Sequence, residues 1–400
     1  MAKRCPVLPD EVTEDIFARL PAKAVHRCRC LSRAWAAALA SDDFADLHLR
    51  LANRHGGLRI LLLQDSRSPN VPAKVQTWSP ANPGGTLVQL PTSHDVEGGA
   101  TDKLVPRLVA QQCRGLVILE AAAAPSRHYV LNPSTGRMAA LPESQAMSSL
   151  SVTCLGLGYD RRTRKHKVVR IYYRGYGGEK DSTGCEVYVI NPVAVGLWRP
   201  AEGCAREKPL GRVYKDQTSV FVQGHVHWLA VRKSKTTLGT ETFAFSFSLD
   251  DERLGAVPLP PLALEKSNQN HCLADFDGRL CLFCSDFVPN NNSAGPVHDV
   301  WLFRGHETSA WDLHWRVDLG TLPPKVTKFA SQFVITNNGG RIIFAKPHLT
   351  SSQEPSFQVF SYDLVTNNME NLLDNDIMGL KEVVSYDESI ASPGQPLAML

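Results

Sequence analysis

The residues best suited to chemistry in this 400-residue sequence are few and scattered. Cys281-x-x-Cys284 is the one suggestive thiol pair. A zinc site would need a second pair of ligands at fitting distance, and a redox pair would need the start of a helix. The pair lies instead in GRLCLFCSDF, which alternates as a strand does, so both thiols read as core residues. His225-x-His227 puts two imidazoles on one face of a strand, an arrangement open to a metal ion, but no nearby Asp, Glu or Cys completes a ligand set. The basic run RRTRKHK, residues 161–167, is a candidate loop for an anion or an acidic target, with Arg161, Arg162, Arg164 and Lys165 as the contacts. Its competing readings are a nuclear signal and a solvated hairpin tip between two strands. The carboxylates Asp250-Asp251, Asp275 and Asp277 sit at turn positions. There is no Gly-rich phosphate loop before a helix, no Gly-x-Ser-x-Gly and no His-Glu-x-x-His. We therefore expect no catalytic set, no cofactor and no metal site.

Hydrophobic content of 43% and charged content of 21% are those of an ordinary globular chain. A net charge of +3 is too small to point to nucleic acid or a membrane as partner. No run approaches the ~18 apolar residues of a membrane span. The opening MAKRCPVLPDE has charge but no apolar stretch behind it, unlike a secretory signal. The expectation is a chain of the cytoplasm and/or nucleus. Its ten cysteines would then be reduced, and Asn291-Asn292-Ser293 would carry no glycan.

The elements that must position these residues fall into two kinds. Leu8 to Phe44 reads as three short helices. Pro9 and Asp10 open the first, with Asp10 as a candidate cap. Val12, Ile16 and Leu20 follow at four-residue spacing, Pro21 ends the helix, Val25, Cys28 and Leu31 continue the apolar line, and Ser32 caps a third helix carrying Trp35. Leu47 to Arg54 extends the helical signal to Gly56-Gly57, the candidate domain boundary. So few residues in so few helices cannot bury enough apolar surface alone, and the stripes need a partner in the chain or outside it.

This stretch resembles an F-box: Leu8-Pro9, Val12 and Ile16, Leu20-Pro21, Lys23 to Cys28, Arg33-x-Trp35 and Asp43-Phe44 fall in the family's order, while Cys30-Leu31 replaces its common Val-Cys. The resemblance implies docking to a Skp1-type adaptor, and through it to a cullin complex. The residues it assigns to the docking are Leu8, Pro9, Val12, Ile16, Leu20, Pro21, Val25, Cys28, Leu31 and Trp35.

Downstream the sequence changes character. Strand-like runs alternate with Gly, Pro, Asn and Asp, and a Gly followed by an apolar strand recurs at Gly115, Gly224, Gly278 and Gly340, at intervals of 109, 54 and 62 residues. A second segment type, a strand, a turn and an apolar end, recurs between them, as in YVLNPSTGRMAALP and VYVINPVAVGLWRP. A period near 50 with four short strands per unit is the pattern of a kelch-like propeller. Six candidate blades follow, at 58–92, 105–143, 152–201, 217–262, 270–322 and 331–373. The stretch VVSYDESIASP either returns a strand to the first blade or forms a surface tail. Asn132-Pro133-Ser134-Thr135-Gly136 reads as a hairpin turn. Six tryptophans, Trp78, Trp198, Trp228, Trp301, Trp311 and Trp315, lie in β segments and would fill space between blades or line a binding face.

The order of CRGLVIL, YVLNPSTGRMAALP, LGLGYDRRTRKHKVVRI, CEVYVI with LWRP, SVFVQGHVHWLAV and FQVFSYDL is similar to the F-box-associated domain of plant F-box proteins. The expected organisation is mainly β: an F-box at 1–55, then a β-propeller at 56–400 that recognises a target. The two resemblances together imply a non-catalytic adaptor subunit of a ubiquitin ligase that presents an unknown target protein. The alternative is a propeller enzyme or glycan-binding module with a helical cap and no ligase role.

Overall fold

The computed structural model describes residues 8–54, 57–65, 73–85, 87–89, 106–121, 127–143, 153–174, 182–194, 196–204, 211–214, 217–233, 239–264, 269–286, 297–318, 332–336, 340–348, 356–373 and 377–395. Gly56, the Asn291-Asn292-Ser293 triplet and residues 93–102 lie outside them.

The N-terminal helices are α1 (Asp10–Phe17), α2 (Ala22–Cys28), α3 (Arg33–Ala38) and α4 (Asp42–Arg54). The helical signal expected at Leu47–Arg54 belongs to a fourth helix, which begins earlier, at Asp42. Ser41 Oγ accepts the Phe44 N–H at 3.1 Å and starts α4 there. Ser32 caps α3 as expected, accepting the Trp35 N–H at 3.1 Å. Asp10 is not a cap: Pro9 holds that position with no side-chain hydrogen bond, and Asp10 is the first helical residue. The helices close around Ala18, Ala22, Val25, Leu39 and Phe44, with Phe17, Leu20, Cys28 and Trp35 packed on the margin. Trp35 meets Phe17 edge-to-face at 5.0 Å between ring centroids.

Among the described residues the remainder forms six antiparallel sheets arranged as blades. Blade two runs Pro106–Cys113, Leu116–Ala121, Arg127–Asn132, Arg137–Ala140, and blade three Thr153–Asp160, Lys165–Arg174, Ser182–Val189, Arg199–Pro200. Blade four has a divided inner strand, Arg212–Val213 and Val220–Val222, both paired with His225–Lys233. Blades five and six begin at Gln269–Phe276 and Gln332–Thr336. Blade one takes Ile60–Gln64, Lys74–Trp78 and Leu87–Gln89 from the start of the domain and its inner strand, Leu380–Ser385, from the far end. The stretch VVSYDESIASP therefore does close the ring, in antiparallel register with Ile60 opposite Ser385.

Closure is visible in the packing. The six apolar clusters of the domain each lie between two consecutive blades, including the pair formed by blades six and one. A single blade cannot bury both of its faces, so the stable unit is the ring. The tryptophans fill these seams. Trp228 is 1% exposed between blades three and four, and its indole N–H donates to the Leu155 carbonyl at 2.9 Å. Trp198 and Trp311 reach back to the preceding blade in the same way, to Pro142 O and Pro258 O, each at 2.8 Å.

The recurring glycine has a backbone cause. Arg114-Gly115, Gln223-Gly224 and Asp277-Gly278 are the two-residue turns between first and second strands of blades two, four and five. Their φ values are 50 and 81, 52 and 80, and 49 and 72 degrees, all positive as a twist-matched hairpin turn requires. Blade three lacks the glycine and breaks the period. Its turn is longer, 161–164, built by Asp160 Oδ1 accepting the Arg162 and Thr163 N–H groups and closed by Arg164 at φ 55 degrees.

Candidate protein-docking site

The turns between first and second strands of blades two and three meet the helices, Arg114 and Arg164 both bonding Asp46 of α4, and Arg59 at the edge of blade one donates to Asn53 and to the Ala52 carbonyl. The connections between second and third strands, such as 122–126, 175–181, 234–238 and 287–296, lie outside the described residues.

The chain beyond the closing strand is the seat of the helices. Glu388 accepts the Ala22 N–H at the start of α2 at 2.7 Å, and Asn53 of α4 both accepts from the Glu388 N–H at 2.8 Å and donates to its carbonyl at 3.0 Å. Ile390 enters the helical core itself. Asn132, fully buried, holds the same segment from blade two, donating to Ser389 O at 2.9 Å and Ala391 O at 2.8 Å while its own oxygen shapes the expected turn at 133–136. Gly115 is required here: its φ is 81 degrees, and a Cβ would come within 2.2 Å of Ser389 Cβ.

The ten residues singled out for docking divide between two faces. Val25 is fully buried, and Leu20, Cys28 and Trp35 are half-buried against the helical core. Those four hold the helices together. Leu8, Val12, Ile16 and Leu31 are 55%, 44%, 43% and 64% exposed, and Pro9 and Pro21 are exposed beside them. Leu8, Val12 and Ile16 lie four residues apart, so they form one row along α1 and its entry.

The basic run is a hairpin tip, and its side chains part to two sides. Arg164 donates to Asp43 Oδ1 at 2.6 Å and Asp46 Oδ2 at 2.5 Å, both on α4. Its guanidinium is held charged by these carboxylates. Arg114, from the neighbouring tip, donates to the other Asp46 oxygen and stacks over the Tyr159 ring at 4.1 Å. Arg161 joins them in a cleft of about 380 Å³ that also holds Arg50 and Leu49 of α4. Arg162 and Lys165 instead border a second cleft of about 250 Å³, with Glu202, Asp250, Asp251 and Glu252. There Lys167 bridges Asp160 at 2.9 Å and Glu252 at 3.3 Å, and Arg199 pairs with Glu252 at 2.5 Å. Burial opposes the charge on Glu252, but Arg199 and the Glu202 N–H outweigh it and hold its pKa down at about 2. The four expected contacts are thus not one anion patch: Arg162 and Lys165 face carboxylates, while Arg161 and Arg164 face α4. Arg50 and Arg114 complete that side, and no local pattern in the sequence announces them.

The two strand histidines gain an unforeseen third. His306, from the third-to-fourth turn of blade five, stacks on His225 at 3.9 Å, and its Nε2 lies 3.3 Å from His227 Nε2. Burial, then the other two imidazoles, push the His227 pKa down to about 3. The His306 ring lies near-parallel to the other two, at 26° to His225 and 16° to His227, and no group of His, Cys, Asp and Glu among the described residues has a metal-holding arrangement. Cys281 and Cys284 point to opposite faces of blade five, one into each adjoining seam. Burial raises the Cys281 thiol well above its ordinary pKa.

Comparison with known proteins agrees with this architecture. Residues 6–46 match the F-box domain model, and residues 86–385 match the model of the F-box associated beta propeller domain. F-box protein CPR1 of Arabidopsis thaliana is 26% identical over 317 residues, 74% of this chain and 69% of the relative. A second F-box protein of Arabidopsis thaliana is 24% identical over 342 residues, 80% of this chain and 74% of the relative. Among solved structures, a protein from Lactobacillus plantarum covers 82% of this chain and 99% of its own at 10% identity, with a TM-score of 0.40, too distant to carry anything across.

Proposed function

The chain belongs to the F-box proteins with an F-box-associated β-propeller, and from that premise we propose that it is the substrate-recognition subunit of a Skp1–cullin–F-box ubiquitin ligase. The observation that carries the reading is the outward row Leu8, Val12 and Ile16, together with exposed Leu31, on helices whose core is already covered. Large apolar side chains kept at the surface of a small helical unit are what a protein partner needs, and here they fall on the F-box motif itself. The adaptor covers this row. The propeller holds a target protein with its loops, and the seat made by Glu388, Asn53 and Ile390 fixes the distance between the two. The chain does no chemistry. It raises the effective concentration of a target lysine at the conjugating enzyme, as a tether of fixed geometry does.

Co-expression with a Skp1 adaptor, followed by size exclusion, tests the docking. A stable 1:1 complex lost on Ile16→Asp supports it, and a wild-type chain that elutes alone refutes it. Target capture is tested separately, by accumulation of bound proteins on the full chain when the cullin is inhibited.

A further inference from the structure

We infer that the cleft between α4 and the tips of blades two and three is a binding site for a compact multivalent anion carrying clustered phosphate groups. Four guanidiniums, Arg50, Arg114, Arg161 and Arg164, line a space of about 380 Å³ from three separate elements. The carboxylates available to them are Asp46, shared between Arg114 and Arg164, and Asp43, which takes the other side of Arg164. Arg50 and Arg161 are exposed and make no hydrogen bond or ion pair among the described residues. The cleft therefore carries two cations beyond what its acids neutralise, one from α4 and one from the tip of blade three.

Cations gathered in one cleft repel one another, and a bound anion relieves that repulsion. Guanidiniums approaching from several directions suit a tetrahedral, many-oxygened group better than a planar carboxylate, since each presents a fork of N–H donors. The cleft is larger than one phosphate, which favours a ligand with several. Arg164, which closes the blade-three turn, is held to α4 by Asp43 and Asp46, so the tip that carries Arg161 is fixed against the helix that carries Arg50. An anion here would tie the helices to the propeller across their junction. The site is distinct from the row that docks the adaptor, so the two ideas fail separately.

The test is calorimetric titration of the full chain with inorganic tripolyphosphate, and with sulfate at matched ionic strength. The expected result is saturable binding at one site per chain. Arg50→Gln with Arg161→Gln should weaken it by at least about tenfold, because charge-assisted bonds are lost from α4 and from the blade-three tip. Both side chains are exposed, so the variant keeps its melting temperature, and Arg33→Gln, on α3 outside the cleft, serves as the unaffected control. A peptide with two adjacent phosphoserines distinguishes the source: competition with tripolyphosphate identifies a phosphorylated protein segment, and its failure to compete identifies a free polyphosphate. Absence of saturable binding, equal binding of sulfate, or binding undiminished in the double variant overturns the inference.

Discussion

Glu388 and Ala22 are 366 residues apart in sequence and 2.7 Å apart in space, joined by a hydrogen bond from the first backbone N–H of α2 to the carboxylate. The contact couples the helical unit to the segment that follows the ring-closing strand. Glu388→Ala removes the acceptor for the backbone N–H of buried Ala22 and should cost the helices about 1–3 kcal/mol. Hydrogen exchange is the measurement: α1 to α4 lose protection while the blade strands keep theirs. Equal protection in both proteins would mean the seat does not depend on this bond.

The two faces of the helices separate binding from stability. Ile16→Asp or Leu31→Asp adds a charge where solvent already reaches, so the melting temperature should hold while adaptor binding disappears. Phe44→Ala opens a cavity at a fully buried position and should cost about 3–5 kcal/mol. Thermal unfolding and adaptor pull-down on the same three variants read both quantities. A large melting shift for Ile16→Asp would place that side chain in the core.

Trp228 joins two blades by packing and by one hydrogen bond. Trp228→Phe keeps much of the packing but leaves the buried Leu155 carbonyl unpaired, at about 1–3 kcal/mol. Trp228→Ala should cost about 3–5 kcal/mol. Denaturant midpoints should rank wild type, Phe, Ala. If Phe and Ala coincide, the hydrogen bond contributes most of the effect.

The closing strand carries a titrating group. Burial pushes the Glu382 carboxyl from its ordinary 4.5 up to about 7, against the pull of the Leu108 N–H and Arg107. The folded state therefore prefers the protonated form. The stabilisation is complete below about pH 4.5 and is lost as the pH rises through about 7, with a ceiling of about 3 kcal/mol. Glu382→Gln keeps an acceptor for Leu108 N, at 2.9 Å in the wild type, and cannot ionise. Melting curves from about pH 5 to about pH 8 should show the wild type losing ground to the variant. Parallel curves would show that the carboxyl does not titrate in this range.

What could be read from the sequence is what the backbone demands locally. The glycines of blades two, four and five were visible because a two-residue hairpin needs positive φ at both positions, and blade three fell out of the period because Asp160 builds a longer turn there. Ser32 was legible as a cap. Asp10 was misassigned because the helix starts one residue earlier than a cap at Asp10 would require, leaving Pro9 at the cap position with no side-chain hydrogen bond. The convergence of Arg50, Arg114 and Arg164 was not legible. Arg164 and Asp46 are 118 residues apart, and only the ring's closure and the seating of α4 bring them together. The division of Arg161 and Arg164 from Arg162 and Lys165 has the same character, since a turn sends consecutive side chains to different sides.

The inner strand of blade one, Leu380–Ser385, and the seat behind it are the last parts of this fold to leave the ribosome, yet they complete its first blade and its first helices. Until they are synthesised, Ile60–Gln64 has one unpaired edge and the helical core lacks Ile390. Contacts that span nearly the whole chain are slow to form, and open edges in the interval invite other chains. A message cut short before codon 380 thus yields helices with no seat as well as a ring with a gap, from the loss of one segment.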